Sequence, residues 1–467
     1  MSAQLHRIDT EIERQNQTAA LLDSSDLSDD TLANRLSAER LRGDWLYVHA
    51  WRAWMLWTGA QWKRGKKLEH LAEIRDFLRA QAKATKGKDA ADLRSARKAY
   101  AVEQMVRSNT EVAAAPDQWD ANTWLLGTPG GTVELRTGTL RPARRDDHIT
   151  KLTAVAPAEP GVDAPIWRSF LQRIFRSDLD ILPFLQRAAG YALTGQSTEH
   201  KLLFAFGTGR NGKGVFFNTL TSILADYATV SSSFTFLESG MNSHPTGIAS
   251  LAGARLVTAS ELPPGKPWNE SLLKSITGGD PITARRMRQD EFTFKPQFTL
   301  MIAGNHMPSF RGVDEATRAR VLLIPFKETI LADERDPDLA EKLKGEWPAI
   351  LRWAIDGALD WQNVGLRAPA AVTDASNEYM DDEDVLGEFI GDCLQENPGG
   401  FVKTADMYEV FRGWCDKRGM RAPWTQHALR QAMKERGYEF GRKTHGRGVW
   451  GCSLRTPIAG VTVKSGV

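Results

Sequence analysis

The stretch that decides the fold is residues 201–220, KLLFAFGTGRNGKGVFFNTL. The apolar run LLFAF is typical of a buried strand, and the residues after Lys213 have the spacing of a helix. Between them, Gly207, Gly212 and Lys213 satisfy the pattern G-x(4)-G-K. In a strand–loop–helix context this pattern predicts a phosphate-binding loop, because glycines let successive backbone N–H groups face one anion. We therefore expect a nucleotide there.

The residue after the lysine is unusual for such a loop. Gly214 stands where Ser or Thr normally holds Mg²⁺. Backbone amides and the charge of Lys213 still grip phosphate, so metal affinity is the property in question. Water fills the missing position, or another side chain does, with Thr208 and Thr219 as candidates. The predicted nucleotide-binding residues are Gly207, Thr208, Gly209, Arg210, Asn211, Gly212, Lys213 and Gly214.

Later strands end in polar residues suited to catalysis. ARLVTASE ends at Glu261, which we predict as general base and magnesium contact; the alternative is a surface glutamate. FTLMIAGN ends at Asn305, an amide suited to orienting the attacking water. Arg318 and Arg320 precede a fourth strand, and one of them, supplied by a neighbouring subunit, would neutralise transition-state charge. The alternative is an ordinary exposed arginine pair.

The order of short apolar runs and helical segments from 201 to about 330 predicts an α/β domain with a parallel sheet. Within it, ITARRMR and EFTFKP alternate like the two strands of a hairpin. Clustered cations on a hairpin suit contacts with a phosphodiester backbone. The alternative is a solvated, charged hairpin. The predicted DNA-contacting residues here are Arg285, Arg286, Arg288 and Lys295.

Four motifs follow one another: GTGRNGKG, VTASE, TGGDPITARR with its hairpin, and IAGN followed by RVLLIPF. Their order and spacing resemble a superfamily 3 helicase, and more narrowly the C-terminal helicase part of phage and plasmid primase–helicases, a group that includes the poxvirus primase–helicase. Upstream, GGTVELRTGTLRPARRDDHITKLTAVAP and the helices starting at PIWRSF are similar to the cap of these proteins. The resemblance extends over roughly residues 40–455.

The resemblance implies an AAA+-like, ring-shaped, hexameric motor that threads single-stranded DNA, with ATP and Mg²⁺ between subunits. It implies that Lys213 is the Walker A lysine, Glu261 the Walker B glutamate, Asn305 the sensor and Arg320 the finger in trans. The hairpin around 285–295 would line the pore. The chain departs from the family pattern in having one Walker B acid, and Ala319 separates its two arginines, so the choice between Arg318 and Arg320 stays open.

The regions around the ATPase carry further expectations. The aromatic stretch 42–62 predicts a two-stranded hairpin whose rings form a small core or stack on bases. No DxD or DxE pair in a strand setting precedes residue 120, so we expect no primer synthesis, although a separate primase is a possible partner. The expected divisions are a helical and aromatic region 1–120, a cap of β unit plus helices 121–196, the ATPase domain 197–365, a linker 366–384, a winged-helix-like domain 385–455 and a disordered tail 456–467.

The C-terminal region joins a helix, WTQHALRQAMKERG, to the basic turn RKTHGRG. This pattern predicts a recognition helix plus wing, with Arg442, Lys443 and Arg447 on duplex phosphates. The alternative is a winged helix that docks a protein.

Composition limits the remaining function classes. Net charge is +2, so nucleic-acid binding must come from local patches rather than a global basic field. Cys393, Cys415 and Cys452 lack CxxC spacing, which argues against a zinc site or disulfide framework and fits a reducing cytoplasm, here that of a bacterial host. No apolar run suits a membrane span.

Three functions therefore remain open. The first is an ATP-dependent replicative helicase of a phage, plasmid or mobile element, acting on single-stranded and forked DNA. The second is an initiator or scaffold with a weak ATPase. The third is a translocase or loader that moves on DNA without unwinding it.

Overall fold

The computed structural model describes residues 26–238, 245–263, 266–310, 313–420, 424–444 and 446–455. Expectations for the first 25 residues and for the tail 456–467 lie outside these ranges. The chain divides into two compact units. The first unit comprises Met1–Val162, Ile223–Tyr227 and Trp347–Ile355, and the second comprises Asp163–Ser222, Ala228–Glu346 and Asp356–Val467.

The first unit combines helices with two small sheets. Its helices are α1 (Asp29–Leu36), α2 (Glu69–Ala84), α3 (Gly87–Leu93) and α4 (Ala96–Val106). Its strands are β1 (Trp45–Val48), β2 (Ala53–Trp57), β3 (Trp62–Arg64), β4 (Ala113–Ala114), β5 (Leu125–Thr128), β6 (Gly131–Glu134) and β7 (Thr139–Arg141). They form one sheet in the order β3-β2-β1-β4 and a second in the order β5-β6-β7.

The aromatic stretch differs from its expected two strands. The chain turns at Thr58, whose N–H donates to the carbonyl of Gln61 at 2.9 Å, and returns as a third strand, β3. Trp45, Trp54 and Trp62 are buried, as a packed aromatic core requires, whereas Trp51 is 38% exposed. The Trp51 indole therefore remains available at the surface.

The second unit is built on a five-stranded parallel sheet, which confirms the predicted α/β class. The strands are β8 (Leu202–Phe206), β9 (Ala228–Ser232), β10 (Leu256–Ser260), β13 (Thr299–Gly304) and β14 (Val321–Pro325). The sheet order is β14-β8-β13-β10-β9. Every strand runs the same way, so all five carboxyl ends lie at one edge.

Helices flank this sheet and a hairpin projects beside it. The helices are α5 (Pro165–Ile174), α6 (Ile181–Thr194), α7 (Lys213–Leu224), α8 (Pro245–Ala249), α9 (Glu270–Gly278), α10 (Glu315–Arg318) and α11 (Leu339–Val364). The hairpin consists of β11 (Ile282–Arg285) and β12 (Glu291–Phe294), paired antiparallel. Strands such as β8 are apolar at nearly every position because both faces of a parallel sheet are covered.

The expected linker 366–384 contains a helix, α12 (Ala370–Asp382). Val372, Ser376 and Tyr379 are buried, and the Ser376 hydroxyl accepts a hydrogen bond from the backbone N–H of Leu323 in β14 at 2.8 Å. The helical face was hard to see in the sequence because a serine occupies one of its core positions. The segment is therefore part of the packed second unit.

The C-terminal elements are α13 (Val385–Cys393), β15 (Leu394–Lys403), α14 (Thr404–Lys417), α15 (Gln426–Glu435), β16 (Phe440–Lys443) and β17 (Gly446–Leu454). Their antiparallel sheet has the order β15-β17-β16. Strand β15 was not predicted, because LQENPGGFVK has few apolar residues.

Cys393, Cys415 and Cys452 are free and buried in one apolar cluster, and burial raises the pKa of Cys393 to about 11.

No helix within the described ranges is both long and apolar enough to cross a membrane.

Candidate active site

The loop after β8 is held in place by its glycines. A Cβ atom on Gly207 would lie 2.3 Å from Asn211 Nδ2 and 2.4 Å from the carbonyl of Phe326. Gly212 has φ +84°, and a Cβ there would lie 2.6 Å from Ile174 Cγ2. Only glycine fits these two positions, so the loop follows one tight path into α7.

Lys213 opens α7 and is almost fully buried, with 7% of its surface exposed. Its Nζ donates to the carbonyl of Gly207 at 2.7 Å and to Asn305 Oδ1 at 3.1 Å. Neither acceptor carries charge, and no ion pair forms at this ammonium among the described residues. Burial alone lowers the pKa of Lys213 to about 8. A buried cation without a counter-charge at a helix N-terminus is a site for an anion.

Asn305 reaches the loop because of the strand order. Strand β13 lies between β8 and β10, and Gly304 at its end pairs with Phe206 at the end of β8. The next residue, Asn305, therefore meets Lys213 directly. The structure thus brings together two of the predicted catalytic side chains.

Glu261 lies one strand farther from the loop, directly after β10. Its side chain is exposed, and its backbone has φ +60°, a left-handed conformation that is uncommon for glutamate. Its carbonyl accepts a hydrogen bond from the Ser233 hydroxyl at 3.1 Å. In the described part of the chain, no hydrogen bond links its carboxylate to Lys213 or Asn305. Strained residues at a site edge are often functional, so Glu261 remains a candidate.

The side chains present fit phosphate better than a bare metal ion. The described residues contain no group of three or more His, Cys, Asp or Glu arranged to hold a metal. Of the two threonine candidates, Thr219 is buried and Thr208 is exposed on the loop. Magnesium would therefore depend on phosphate oxygens, water and the carboxylate of Glu261.

Gly214 offers a direct test of the missing hydroxyl. A Cβ atom there has no heavy atom within 4 Å, so Gly214→Ser will fold. On the expectation that the loop binds a nucleotide with Mg²⁺, the Mg²⁺ concentration for half-maximal nucleotide binding should fall by about tenfold in this variant, because it gains a hydroxyl ligand. Gly214→Ala is the matched control, since both replacements raise helix propensity above that of glycine, alanine more than serine, and alanine adds no hydroxyl. Equal magnesium dependence of the two variants would contradict this role.

The two candidate finger arginines differ in their partners. Arg318 forms ion pairs with Asp381 at 2.7 Å and with Asp384 at 3.5 Å. Arg320 donates from Nη1 to the carbonyl of Ala316 at 2.7 Å and has no ion pair with any described residue. The charge of Arg318 is therefore neutralised within its own chain, whereas that of Arg320 is not.

A cavity of about 380 Å³ opens beside the loop. Gly207 and Thr208 line one side, Phe326 directly follows β14, and Glu378 and Tyr379 come from α12. Sequence reasoning missed this wall because it treated α12 as linker. The available signal was the spacing of Val372, Ser376 and Tyr379 at four and three residues.

The predicted DNA-contacting cations lie at two surfaces of the second unit. Arg285, Arg286, Arg288 and Lys295 are exposed on or beside the β11–β12 hairpin, and none forms an ion pair within the described residues. Arg286 lies over the Phe292 ring at 5.2 Å.

The second surface is the β16–β17 ribbon. Arg442 and Arg447 face each other across the two strands, a like-charge pairing that an anion would relieve. Lys443 lies over the rings of Trp450 and Phe401 at 4.6 and 5.0 Å.

Comparisons with known proteins point to helicase-like proteins. Residues 34–176 match a family described as D5 N terminal like, and residues 205–320 match a family of unknown function (DUF5906). A putative helicase (L207/L206) of Acanthamoeba polyphaga mimivirus is 26% identical over 319 residues, covering 63% of this chain and 33% of the relative. A putative helicase (022R) of Frog virus 3 is 27% identical over 254 residues, covering 50% of this chain and 26% of the relative.

By similarity, the chain is thus a helicase-like protein. More particularly, these matches support a relationship to the phage and viral primase–helicase family, as the motifs predicted. It spans a quarter to a third of the length of these two curated relatives. An apo structure of the NrS-1 C-terminal region (305–718) aligns with 91% of this chain and 100% of its own length, at 11% identity and a TM-score of 0.48.

Proposed function

We propose that the protein is an ATP-driven motor of DNA replication that forms a ring, moves along single-stranded DNA and separates forked duplex. The observation that carries this proposal is the buried ammonium of Lys213, held by two neutral oxygens beside a glycine loop. Such a group binds the phosphates of a nucleotide by charge and by the amides around it.

Each side chain around the loop has a separate role in the proposed ATP hydrolysis. Lys213 binds the β- and γ-phosphates, and Asn305, already in contact with it, orients the attacking water. Glu261 accepts the proton of that water, and its carboxylate would help to hold Mg²⁺. Bound Mg²⁺ supplies charge neutralisation at the phosphates. The cavity lined by Tyr379 and Phe326 takes the base and ribose of ATP.

The exposed hairpin is the element proposed to contact DNA. Four cations without ion-pair partners among the described residues suit phosphate contacts that do not depend on sequence. In a ring, these hairpins line the pore, and Arg320 of each subunit completes the site of its neighbour. The C-terminal ribbon with Arg442, Lys443 and Arg447 is proposed to hold duplex DNA as a winged helix does.

Nucleotide binding will take up protons near pH 8. In the protein without nucleotide, Lys213 has a pKa of about 8, and bound phosphates will raise that pKa. Each binding event should therefore take up about half a proton at pH 8 and none at pH 6.5. Above pH 8, affinity falls by up to about tenfold per pH unit. Titration calorimetry in two buffers of different ionisation enthalpy measures the uptake. Lys213→Arg stays charged throughout and is the control; uptake that persists in it would assign the proton elsewhere.

The same shift has a defined sign for folding. Below pH 8, burial of the charged lysine lowers the free energy of unfolding, because the unfolded chain holds the same proton at no such cost. Between pH 8 and the ordinary lysine pKa of 10.5, the folded protein loses this proton first, so the free energy of unfolding rises with pH.

The function is tested with a fluorescently labelled forked duplex. We expect ATP-dependent strand separation, hydrolysis that single-stranded DNA stimulates, and loss of both in Lys213→Ala. Hydrolysis and movement without strand separation would favour the translocase. DNA binding with no hydrolysis would favour the initiator or scaffold.

A further inference from the structure

The sheet β3-β2-β1-β4 of the first unit has two unequal faces. One face packs through Trp45 and Trp54 into the large core formed with helices α1 to α4. The other face buries far less, in a cluster of four residues that includes Trp62 and Trp119. We call the indoles of this second face the tryptophan face: Trp51, Trp57, Trp62 and Trp119.

These four rings form a continuous row. Ring centroids are 5.7 Å apart for Trp57 and Trp62, 5.7 Å for Trp62 and Trp119, and 5.8 Å for Trp119 and Trp51. Trp51 is 38% exposed and Trp57 is half-buried, so both ends of the row reach solvent. The buried Nε1 of Trp119 has no hydrogen-bond partner among the described residues. The row thus presents one indole to solvent at each end, whereas its two middle rings, Trp62 and Trp119, are buried.

The segment that carries Trp51, Trp57 and Trp62 is basic, although Asp44 and Glu69 bound it and Asp117 and Asp120 flank Trp119. Residues 45–68 contain five Lys or Arg and no Asp or Glu. Arg64 donates from Nη2 to the carbonyl of Trp51 at 3.3 Å, which places a guanidinium beside the exposed indole. Arg52, Lys63, Arg64 and Lys66 are exposed and form no ion pair within the described ranges. This surface therefore favours a polyanion.

The backbone at Arg52 supports a functional role for its side chain. Arg52 lies between β1 and β2 with φ +47° and ψ +47°, a left-handed conformation that glycine adopts at much lower cost. A strained non-glycine residue at a surface turn suggests that its side chain makes a useful contact.

We propose that the tryptophan face, with Arg52, Arg64 and Lys66, is a second binding surface for single-stranded DNA. Unpaired bases stack on the exposed indoles, which accept any base because every base has a π face. The cations contact the phosphates between those bases and make binding sensitive to salt. This surface goes beyond the proposed motor, since it needs neither ATP nor the hairpin of the second unit.

The experiment measures binding of a fluorescein-labelled 20-nucleotide oligo-dT to the full chain without nucleotide, by anisotropy over a range of salt. The background variant is Arg285→Ala/Arg286→Ala/Arg288→Ala, which removes the hairpin contact. In that background we expect Trp51→Ala to weaken binding about tenfold and Trp51→Phe to restore most of it. Arg52→Gly relieves the backbone and will stay folded, yet it should weaken binding and lower the salt slope by about 0.7.

Arg75→Ala is the matched control, because Arg75 is exposed on α2, the helix that packs on the opposite face of the sheet. It should change affinity less than twofold, and thermal unfolding verifies the fold of each variant. No residual binding in the hairpin background, or equal affinity in Trp51→Ala and Arg75→Ala, would overturn the proposal. These binding outcomes do not depend on ATP hydrolysis, so failure of the motor proposal is recognised separately.

Discussion

Under the proposed function, replacement of Arg320 by alanine will slow ATP hydrolysis by about 10³- to 10⁵-fold while nucleotide binding changes little, because we propose Arg320 as the finger that acts on transition-state charge. Arg320 has no ion pair among the described residues, so no carboxylate within that part of the chain neutralises its charge. Arg318→Ala is the matched control. It removes ion pairs to Asp381 and Asp384 and should lower the unfolding temperature more than the hydrolysis rate. A larger catalytic loss in Arg318→Ala would reverse the two roles.

A mixing experiment tests whether the arginine acts between subunits. Lys213→Ala subunits retain Arg320, and Arg320→Ala subunits retain the nucleotide loop. Two inactive variants should therefore recover part of their hydrolysis when mixed, because some interfaces then contain both intact groups. No recovery in a mixed oligomer would mean that the finger acts within its own chain.

Replacement of Glu261 by glutamine will slow hydrolysis by about 10²- to 10⁴-fold and leave ATP affinity nearly unchanged. Glutamine keeps the size of the side chain but cannot accept the proton of the attacking water. Because Glu261 is exposed and makes no side-chain hydrogen bond to Lys213 or Asn305 among the described residues, the variant should keep its unfolding temperature. A rapid-quench measurement of one turnover isolates the chemical step.

The control for this prediction is Glu73→Gln, an exposed glutamate of α2 in the first unit. It makes the same charge change outside the proposed nucleotide loop and the segment of Arg318 and Arg320, so its rate should match that of the parent protein. Equal rates in Glu261→Gln and the parent would remove Glu261 from the mechanism and favour the scaffold hypothesis.

Local sequence was sufficient to predict the elements whose residue pattern is complete within a short stretch of the chain. The run of apolar residues before Gly207 predicted β8, and the G-x(4)-G-K pattern predicted a loop that leads into α7 at Lys213. Alternating residues on either side of 286–290 predicted the hairpin. The same logic failed for β15 and α12, since neither has an apolar pattern strong enough to read without knowing what it packs against.

The sequence by itself determined the class of the second unit, the position of its glycine loop and the order of its polar strand ends. Only the tertiary structure decided which of those ends meet, because pairing between strands is a long-range choice. Insertion of β13 between β8 and β10 puts Asn305 against Lys213 and leaves Glu261 one strand away. The structure also distinguished Arg318 from Arg320. Only Arg318 forms ion pairs within the described residues, and its partners, Asp381 and Asp384, lie about 60 residues later in the chain.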